Sequence, residues 1–430
     1  MRIALITAHG SIAGMAAPSS AAKPGALAGG GPALYPLALA RGLADQGHRV
    51  TIYARSERRD GPETAILGRG VSVEYLQAGP ARPLPDEQAA RHMPEFATVL
   101  ASRWRTRKPD VVHAFSWVSG LAALGAVRGL GIPVVQTFES LACSERQFSE
   151  PGEISASRAR LEPAIGRSAA AVLVRSVSEA SDLARQAVPK TAIRVVPFGV
   201  DTELFSPDGD RATRNARPRL VAFASPDETS GLKAIVRALS LAGDVELVVV
   251  GGPDSRHLPR SGAFREVAQL AASLRVRSRV TFAGEVAADQ LPALLRSADV
   301  LVSATAHEPS AAAAVHAMAC GTPAVVSAVG AHLDAVIDGT TGLLIPPDQP
   351  AALARRLRQL LATPALLEAY GIAAADRVRS RYSWDRIASE TAAVYERCLR
   401  GAEDPAAAGD AEDEEEVESG ALVQRVAALA

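Results

Sequence analysis

Short apolar runs rich in Val and Ile alternate with longer amphipathic stretches along the first half of the chain. Because these runs lack the strict alternation of a half-exposed strand, they are typical of strands buried on both faces of a sheet. The stretches between them have helical spacing, and the one over residues 122–131 ends at Gly131 just before Pro133, a combination that stops helices. Repeated strand and helix predict a parallel, doubly wound sheet. The predicted strands are IALIT (3–7), VTIYA (50–54), VSVEYL (71–76), DVVHAF (110–115), IPVVQTF (132–138), AAVLV (170–174) and IRVVPF (193–198).

The same rhythm returns in the second half after a polar segment without periodicity. Residues 201–218 read DTELFSPDGDRATRNARP, which is typical of an interdomain linker. The strands predicted after it are RLVAFA, VELVVVGG, RVTFAG, ADVLVSA, TPAVVSAV and TGLLIPP. We therefore predict an α/β protein of two doubly wound, Rossmann-like domains that face each other across a cleft, with ligands beyond the carboxyl ends of the strands. The predicted boundaries are residues 1–198 and 218–380, with a linker over 199–217.

Charge is distributed unevenly along the 430 residues. The net charge is −1, yet residues 401–430 alone carry nine acidic residues and one Arg. That segment therefore has a charge of −8, and the rest of the chain sums to +7, which is −1 minus −8. We expect the acidic tail to be disordered. The basic body is suited to attract a phosphorylated ligand or an anionic membrane surface.

Several function classes have no support in the sequence. No apolar run reaches the roughly 18–20 residues that span a bilayer, and the first run is too short for a secretory signal. The three cysteines, Cys143, Cys320 and Cys398, are far apart and lack metal-ligand spacing, which suits a reducing cytosol. The histidines are scattered, so we expect no metal, and GGPDS (251–255) lacks the spacing of a nicotinamide-binding loop. Aromatic residues make up only 4%, which does not favour nucleic-acid binding. We expect a cytoplasmic protein without a transmembrane segment, for which peripheral membrane contact stays open.

The stretch HEPSAAAAVHAMACGTPAVVSAVGAHLDAVIDGTTGLLIPP (307–347) is the most informative in the sequence. It resembles the donor site of the family 4 glycosyltransferases, which carries a Glu-Pro-Phe-Gly opening, a second Glu eight residues after the first, and then Ala-Met-Ala-Cys-Gly-Thr-Pro. Further resemblance lies in VVPFGVDTELFSP (195–207) and RYSWDRIASETAAVYERCL (381–399), and it covers nearly all of residues 1–400. The resemblance implies the GT-B fold, with a last helix over 381–400 that crosses back to the N-terminal domain.

Members of this family transfer a sugar from a nucleotide diphosphate to an acceptor and keep the anomeric configuration. The resemblance therefore implies a nucleotide-sugar donor as substrate, an unknown acceptor and no separate cofactor. The leaving diphosphate gains negative charge, which a helix N-terminus can neutralise with free N–H groups and about half a positive charge. The helix predicted to begin near Ser310 would do this through the backbone amides of Ser310, Ala311 and Ala312. Glu308 would accept hydrogen bonds from the sugar hydroxyls, or else it only belongs to an exposed loop.

The same resemblance implies roles for further residues. The matches that would contact the donor are Gly29, Gly30, Gly251, Gly252 and the backbone near Val286. The first two belong to a glycine-rich loop that approaches the donor phosphates, and the others lie where relatives hold the base, the ribose and the phosphates. Arg160 resembles an arginine that often binds the acceptor's charge.

On the donor side, several positions depart from the family pattern. The second glutamate of the motif, which usually grips the donor ribose, falls on His316, where the ring is either a one-hydroxyl ligand or a residue tolerated inside a buried helix. The Arg and Lys that clamp the diphosphate fall on Ser225 and Ser230, with two carboxylates between them. Two charge-assisted hydrogen bonds of about 1.5–3 kcal/mol each are worth about 10²–10⁴ in affinity or transition-state stabilisation. Lys233 is three residues along the predicted helix, so we expect it to point elsewhere.

The N-terminal domain departs from the pattern at Gly31, Ser116 and Glu139. Relatives commonly place a His at the position of Glu139, close to the reacting sugar. A glutamate there can act as a base, but it would also repel a diphosphate. These departures leave two hypotheses, an active retaining glycosyltransferase with atypical donor contacts and a catalytically inactive homologue that serves as a binding or assembly partner.

Overall fold

The structure is a computed structural model, and it describes residues 1–9, 34–61, 63–146, 154–223, 230–254, 256–257, 260–307 and 311–403. The chain divides into two compact units. The first holds the described residues up to Pro197 together with those from Ile387 onward, and the second holds Phe198–Arg386. Each unit is built on a mostly or wholly parallel sheet with helices between the strands, so the prediction of two Rossmann-like α/β domains is confirmed.

The sheet of the first unit has the strand order β3-β4-β2-β1-β5-β6-β7-β8 in the part of the chain that the structure describes. Its neighbouring pairs are parallel except β3 with β4. The chain winds outward from β1 to β2 on one side and adds β5 on the other, so the carboxyl ends of β1 and β5 flank a crevice of the kind that binds ligands. The strands are β1 (Arg2–Thr7), β2 (Arg49–Arg55), β3 (Thr64–Gly68), β4 (Val71–Leu76), β5 (Val111–Phe115), β6 (Val134–Thr137), β7 (Ala171–Val174) and β8 (Ile193–Val195).

Helices pack on this sheet through apolar faces. Phe96 and Trp104 of α3 have no exposed surface, and Trp117, which begins α4, is nearly as buried. Burying each such side chain contributes about 1.5–3 kcal/mol. The helices are α1 (Leu34–Asp45), α2 (Asp86–Ala90), α3 (Met93–Thr106), α4 (Trp117–Ala126), α5 (Ala142–Glu145), α6 (Ala156–Ser168) and α7 (Val177–Arg185).

The sheet of the second unit is parallel throughout its described strands, in the order β11-β10-β9-β12-β13-β14. The order reverses between β9 and β12, which places a second crevice at their carboxyl ends. The strands are β9 (Arg219–Phe223), β10 (Glu246–Val250), β11 (Val280–Gly284), β12 (Val300–Ser303), β13 (Ala324–Ser327) and β14 (Gly342–Ile345). The helices are α8 (Ser230–Leu241), α9 (Gly262–Ser273), α10 (Leu291–Arg296), α11 (Ala312–Ala319), α12 (His332–Ala335), α13 (Pro350–Leu361), α14 (Pro364–Arg381) and α15 (Trp384–Glu403).

The last helix, α15, is joined to the first unit by a buried polar contact. The hydroxyl of Tyr395 lies 2.6 Å from Nδ1 of His113 on β5, and Nε2 of the same ring lies 2.8 Å from Oγ1 of Thr137 on β6. Burial lowers the pKa of His113 to about 3, so the ring is neutral and both its nitrogens serve as hydrogen-bonding groups. Satisfying these buried groups ties the helix to two central strands.

Candidate active site

Polar residues follow the central strands of the first unit at their carboxyl ends. His9 comes after β1, Ser116 after β5, Glu139 after β6 and Arg175 after β7. Parallel strands end at the same edge, so these four residues lie along one edge of the sheet. The sequence analysis selected Ser116 and Glu139 but missed His9 and Arg175. Their position directly after predicted apolar strands was the available signal.

Ser116 holds a backbone conformation that is nearly restricted to glycine. Its φ and ψ are 77° and 158°, and the residue is buried. Two side chains brace it, because Nε2 of Gln136 donates to its carbonyl at 2.9 Å and its own Oγ accepts from the N–H of Ser119 at 3.3 Å. Oγ of Ser119 in turn accepts from the N–H of Ala8 at 2.9 Å. The strained turn therefore starts α4 at a fixed position beside the end of β1.

His9 and Asp86 form an ion pair at this edge. Nε2 of His9 lies 3.1 Å from Oδ1 of Asp86, and Nε1 of Trp117 donates to Oδ2 at 3.1 Å. The hydrogen bond to Asp86 raises the pKa of His9, against the opposing effect of burial. A larger fraction of this imidazole is consequently protonated near neutral pH than in an ordinary histidine.

Glu139 is a half-buried carboxyl group whose pKa is raised by burial. The nearby charges of His9 and Arg175 act in the opposite direction and stabilise its ionised form. Nη1 of Arg175 donates to the backbone carbonyl of Glu139 at 3.1 Å, and its guanidinium stacks 5.8 Å from the ring centre of Tyr35. A carboxyl group whose pKa is raised by burial is suited to accept a proton from a substrate hydroxyl.

Arg160, predicted to bind the acceptor's charge, is exposed on α6. Its neighbour Arg158 instead turns toward Ser140, the residue after Glu139. The guanidinium of Arg158 donates to Glu162 at 2.6 Å, to Glu145 at 2.8 Å, and to both the carbonyl and Oγ of Ser140 at 3.0 Å. These four hydrogen bonds use most of the five N–H groups of an arginine.

In the second unit, the predicted glycines stand at the end of β10. Gly251 and Gly252 both have positive φ, and the N–H of Gly251 donates to the carbonyl of Gly284 at 2.7 Å. A Cβ on Gly252 would lie 2.2 Å from the ring of Phe264, so only glycine allows this close approach. Val286 is half-buried just after β11. The structure therefore brings these three residues to the carboxyl ends of neighbouring strands.

Ala311 caps the N-terminus of α11 in the left-handed conformation, with φ 52° and ψ 20°. It occupies the position of the Gly in the family's Glu-Pro-Phe-Gly opening, where such a φ carries no steric penalty. The residue is buried, as is Ala312 after it. The backbone thus keeps a glycine conformation without a glycine at the start of the helix predicted to face the donor diphosphate.

His316 lies buried on α11, and its Nδ1–H donates to the carbonyl of Ala312 at 2.7 Å. Its ring packs 4.4 Å from that of Phe205, centre to centre, and 6.4 Å from that of Phe198. Burial lowers its pKa to about 4, so the ring is neutral and Nε2 is left as a hydrogen-bond acceptor. This environment fits a packed histidine, while an acceptor nitrogen suits a single ribose hydroxyl.

Nζ of Lys233 pairs with Glu266 of α9 at 2.8 Å. The start of α8 lies close to the end of β12, because a Cβ on Gly231 would come within 3.0 Å of the backbone of Ala304. Five of the predicted site residues lie outside the described residues, as does the acidic tail beyond residue 403. They are Gly29, Gly30, Ser225, Glu308 and Ser310. For Ser230 the structure gives only its place at the start of α8.

The described residues lack two features, a metal-binding cluster and a membrane-spanning helix. They contain no group of three or more His, Cys, Asp or Glu side chains arranged to hold a metal ion. None of their helices combines the length and the apolarity needed to cross a bilayer.

Each half of the chain matches a family model of glycosyltransferases. The model of Glycosyltransferase Family 4 matches residues 29–204, and that of Glycosyl transferases group 1 matches residues 212–377. A D-inositol 3-phosphate glycosyltransferase from Streptomyces bingchenggensis is 30% identical over 423 residues, covering 93% of this chain and 90% of the relative. One of the same name from Acidothermus cellulolyticus is 31% identical over 425 residues, with the same coverage.

Solved structures extend the likeness to the fold. A sucrose-phosphate synthase from Thermosynechococcus elongatus aligns with a TM-score of 0.77 and 27% identity, covering 93% of this chain and 99% of that one. A glycosyltransferase from Rickettsia africae aligns with a TM-score of 0.68 at 17% identity, covering 93% of this chain and 98% of that one. At 17% identity, the second structure supports a similarity of fold alone.

Proposed function

Because the chain belongs to the family 4 glycosyltransferases of the GT-B fold, we propose that it is an active retaining enzyme. It transfers a sugar from a nucleotide diphosphate sugar to a hydroxyl group of an uncharged polyol. The relatives' shared name specifies a phosphorylated inositol as their acceptor, and the polyol part of that acceptor is what we carry over to this chain.

The observation that carries the proposal is backbone strain at the start of two helices. Ser116 just before α4 and Ala311 just before α11 have positive φ, although neither residue is glycine. Each such conformation costs about 1–3 kcal/mol and persists where the surrounding structure enforces it. A homologue without a catalytic role could relax either turn by a single substitution to glycine. Ala187, Arg275 and Asp348 also have positive φ, but of these five residues only Ser116 and Ala311 lie between a strand that flanks a crevice and the helix after it. Strain held at both crevices therefore favours a working enzyme over an inactive one.

On the donor side, we assign the diphosphate to the N-terminus of α11. The backbone amides of Ala311 and Ala312 and the partial positive charge of the helix end would stabilise the leaving group. Without the Arg and Lys of the clamp, this contribution is the main one left, so we expect weak donor binding. Glu308 remains our proposed ligand for the sugar hydroxyls, and His316 for one hydroxyl of the ribose.

On the acceptor side, we propose that Glu139 takes the proton of the attacking hydroxyl, with the His9–Asp86 pair orienting the acceptor. Arg158 supports an uncharged acceptor, since its hydrogen bonds already go to Glu145, Glu162 and Ser140. A phosphate group would have to displace these carboxylates before the guanidinium could bind it. Arg160, which is exposed on α6, has no role in this proposal.

The test is a transfer assay with UDP-, GDP- and ADP-sugars as donors and with myo-inositol and inositol 3-phosphate as acceptors. We expect a product of retained anomeric configuration, established from proton couplings, and a kcat/KM at least tenfold higher for myo-inositol. Glu139→Gln should lower kcat by about 10²-fold or more with little change in KM, the usual effect of losing a general base. The exposed Glu63→Gln removes the same charge elsewhere and serves as its control.

The outcomes separate the alternatives. Faster transfer to inositol 3-phosphate would contradict the acceptor class while leaving the activity in place. Binding of a nucleotide sugar in calorimetry without transfer to any acceptor would support the inactive homologue instead.

A further inference from the structure

A cavity of about 610 Å³ opens in the first unit at the edge of the sheet opposite to the candidate site. Residues that precede β6, β7 and β8 form one wall, among them Pro133, Ala170 and Thr191. The last turns of α15 form the other wall, through Val394, Arg397, Cys398 and Gly401. The amino ends of the strands line this cavity, whereas Glu139 and Arg175 follow their carboxyl ends. It is therefore separate from the site of sugar transfer.

Two arginines without a carboxylate partner among the described residues line this cavity. Arg194 is half-buried, and its Nη1 donates to the carbonyls of Thr191 at 2.6 Å and Ile193 at 2.8 Å, which fixes the guanidinium in place. Arg397 is exposed on α15. Both charges act on the thiol of Cys398, since burial raises its pKa and the two arginines oppose that rise. Arg194, Arg397 and Cys398 all line this one cavity.

Apart from Thr191 and Cys398, the remaining lining is small and apolar. Ile132, Pro133, Ala170 and Ala171 leave a floor without side-chain polar atoms, and the volume lies within the roughly 300–1,000 Å³ typical of small-molecule sites. Guanidinium groups bind phosphate through paired hydrogen bonds and are weakly hydrated, which favours them in partly buried anion sites. An apolar floor adjoining two such groups fits a ligand that has one phosphate and an apolar body.

We propose that this cavity is a second ligand site, which binds a soluble phosphomonoester with an apolar portion. Arg194 and Arg397 hold the phosphate, and the ligand body lies on the floor beneath it. The site does not depend on the proposed acceptor or on transfer activity. Because Cys398 lines the cavity, a bound ligand should shield its thiol.

Alkylation of Cys398 by iodoacetamide, followed by peptide mass spectrometry on the full chain, measures that shielding directly. The probe is phenyl phosphate, with phenol as the uncharged comparison. We expect phenyl phosphate to slow alkylation of Cys398 at least threefold and phenol to have little effect. The half-buried Cys143, beside the candidate active site, reports in the same digest on binding there and should keep its rate.

Variants link the shielding to the two arginines. Arg397→Gln alone should weaken the protection, and Arg194→Gln combined with Arg397→Gln should abolish it. Arg105→Gln, an exposed arginine on α3, is the matched control and should retain full protection. An unchanged thermal midpoint establishes that each variant is folded.

Three results would overturn the proposal. The first is equal protection in the double variant, and the second is equal protection by phenol. The third is protection by phosphatidic acid vesicles but not by phenyl phosphate, which would identify a lipid surface rather than a soluble ligand.

Discussion

The strained backbone conformation of Ser116 lowers the free energy of unfolding of the protein. Replacing it with glycine removes strain of about 1–3 kcal/mol, whereas losing a serine cap to glycine costs only a few tenths. We therefore expect Ser116→Gly to stabilise the protein by about 1 kcal/mol in urea unfolding. Ser116→Ala keeps the strain and loses the cap, so it should destabilise by about 1 kcal/mol. A destabilised glycine variant would mean that the conformation carries no strain.

Glu179 should make folding stability depend on pH. Burial raises its pKa to about 7, against the hydrogen bond that its carboxylate accepts from the N–H of Arg175 at 2.7 Å. A folded-state pKa above the unfolded value gives stability that is present below the unfolded value and lost as pH rises through about 7. At about 1.4 kcal/mol per pKa unit, Glu179→Gln should gain about 3 kcal/mol on the wild type between pH 4.5 and pH 8.

Urea unfolding at several pH values measures this difference, and the other titrating groups cancel between the two proteins. Glu63→Gln on the exposed surface is the control for removing a carboxyl group. A gap between wild type and Glu179→Gln that stays constant with pH would contradict the raised pKa.

At single residues, the sequence was most informative where chemistry follows a strand directly. Glu139 was found through the family resemblance, since relatives commonly place a His at its position, whereas His9 and Arg175 could have been found because each follows a predicted apolar strand. Asp86 could not, because its partner Trp117 is 31 residues away and no local pattern encodes that contact. The strain at Ser116 and Ala311 was also beyond reach, since a backbone conformation is set by packing around it rather than by the residue itself.

Among the helices, α15 is held in place by a buried hydrogen bond, which is lost when one oxygen atom is removed. Tyr395→Phe takes away the hydroxyl and leaves Nδ1 of His113 buried without its partner, at a cost of about 1–3 kcal/mol. We expect a corresponding loss of stability by urea unfolding, with a lower thermal midpoint. Tyr370→Phe, at a tyrosine that is also buried, is the control and should change little. Equal losses in both variants would place the effect in tyrosine packing rather than in the contact with His113.

Strands could be predicted from the sequence where their burial produces a continuous run of apolar residues. Strands such as β1 and β10 are apolar along their length because both faces are covered, and they were predicted. The edge strand β3 was missed because its residues alternate between exposed and half-buried, so TAILG has no continuous buried run. Its Ile66 is 87% exposed, which is unusual for an isoleucine in a strand and is not encoded by its neighbours.

For the molecule as a whole, donor affinity depends on charges that come from separate parts of the second unit. The start of α8 approaches the end of β12, as the contact of Gly231 with Ala304 requires, so the predicted clamp position Ser230 lies near the segment that leads to α11. Lys233 pairs with Glu266, so we do not expect it to replace the clamp. We therefore predict that the unmodified protein binds nucleotide sugars only in the millimolar range or not at all.

Restoring both charges should reverse this weakness. Ser225→Arg combined with Ser230→Lys returns the two cations that the family resemblance assigns to the clamp, each worth about 1.5–3 kcal/mol when it forms a charge-assisted hydrogen bond. We expect at least a tenfold gain in affinity by calorimetry, even if only one of the two side chains reaches the diphosphate. The gain should shrink as salt increases, because partly exposed charges are screened.

The matched control places the same two charges elsewhere in the second unit, as Ser240→Lys on α8 and Ser273→Arg on α9. A general increase in positive charge would improve binding in both double variants, whereas a local clamp improves it only at 225 and 230. Transfer need not accelerate in proportion, since Glu139 and His316 are unchanged. Micromolar binding by the unmodified protein would contradict the prediction, because it would require that another cation already performs the role of the clamp.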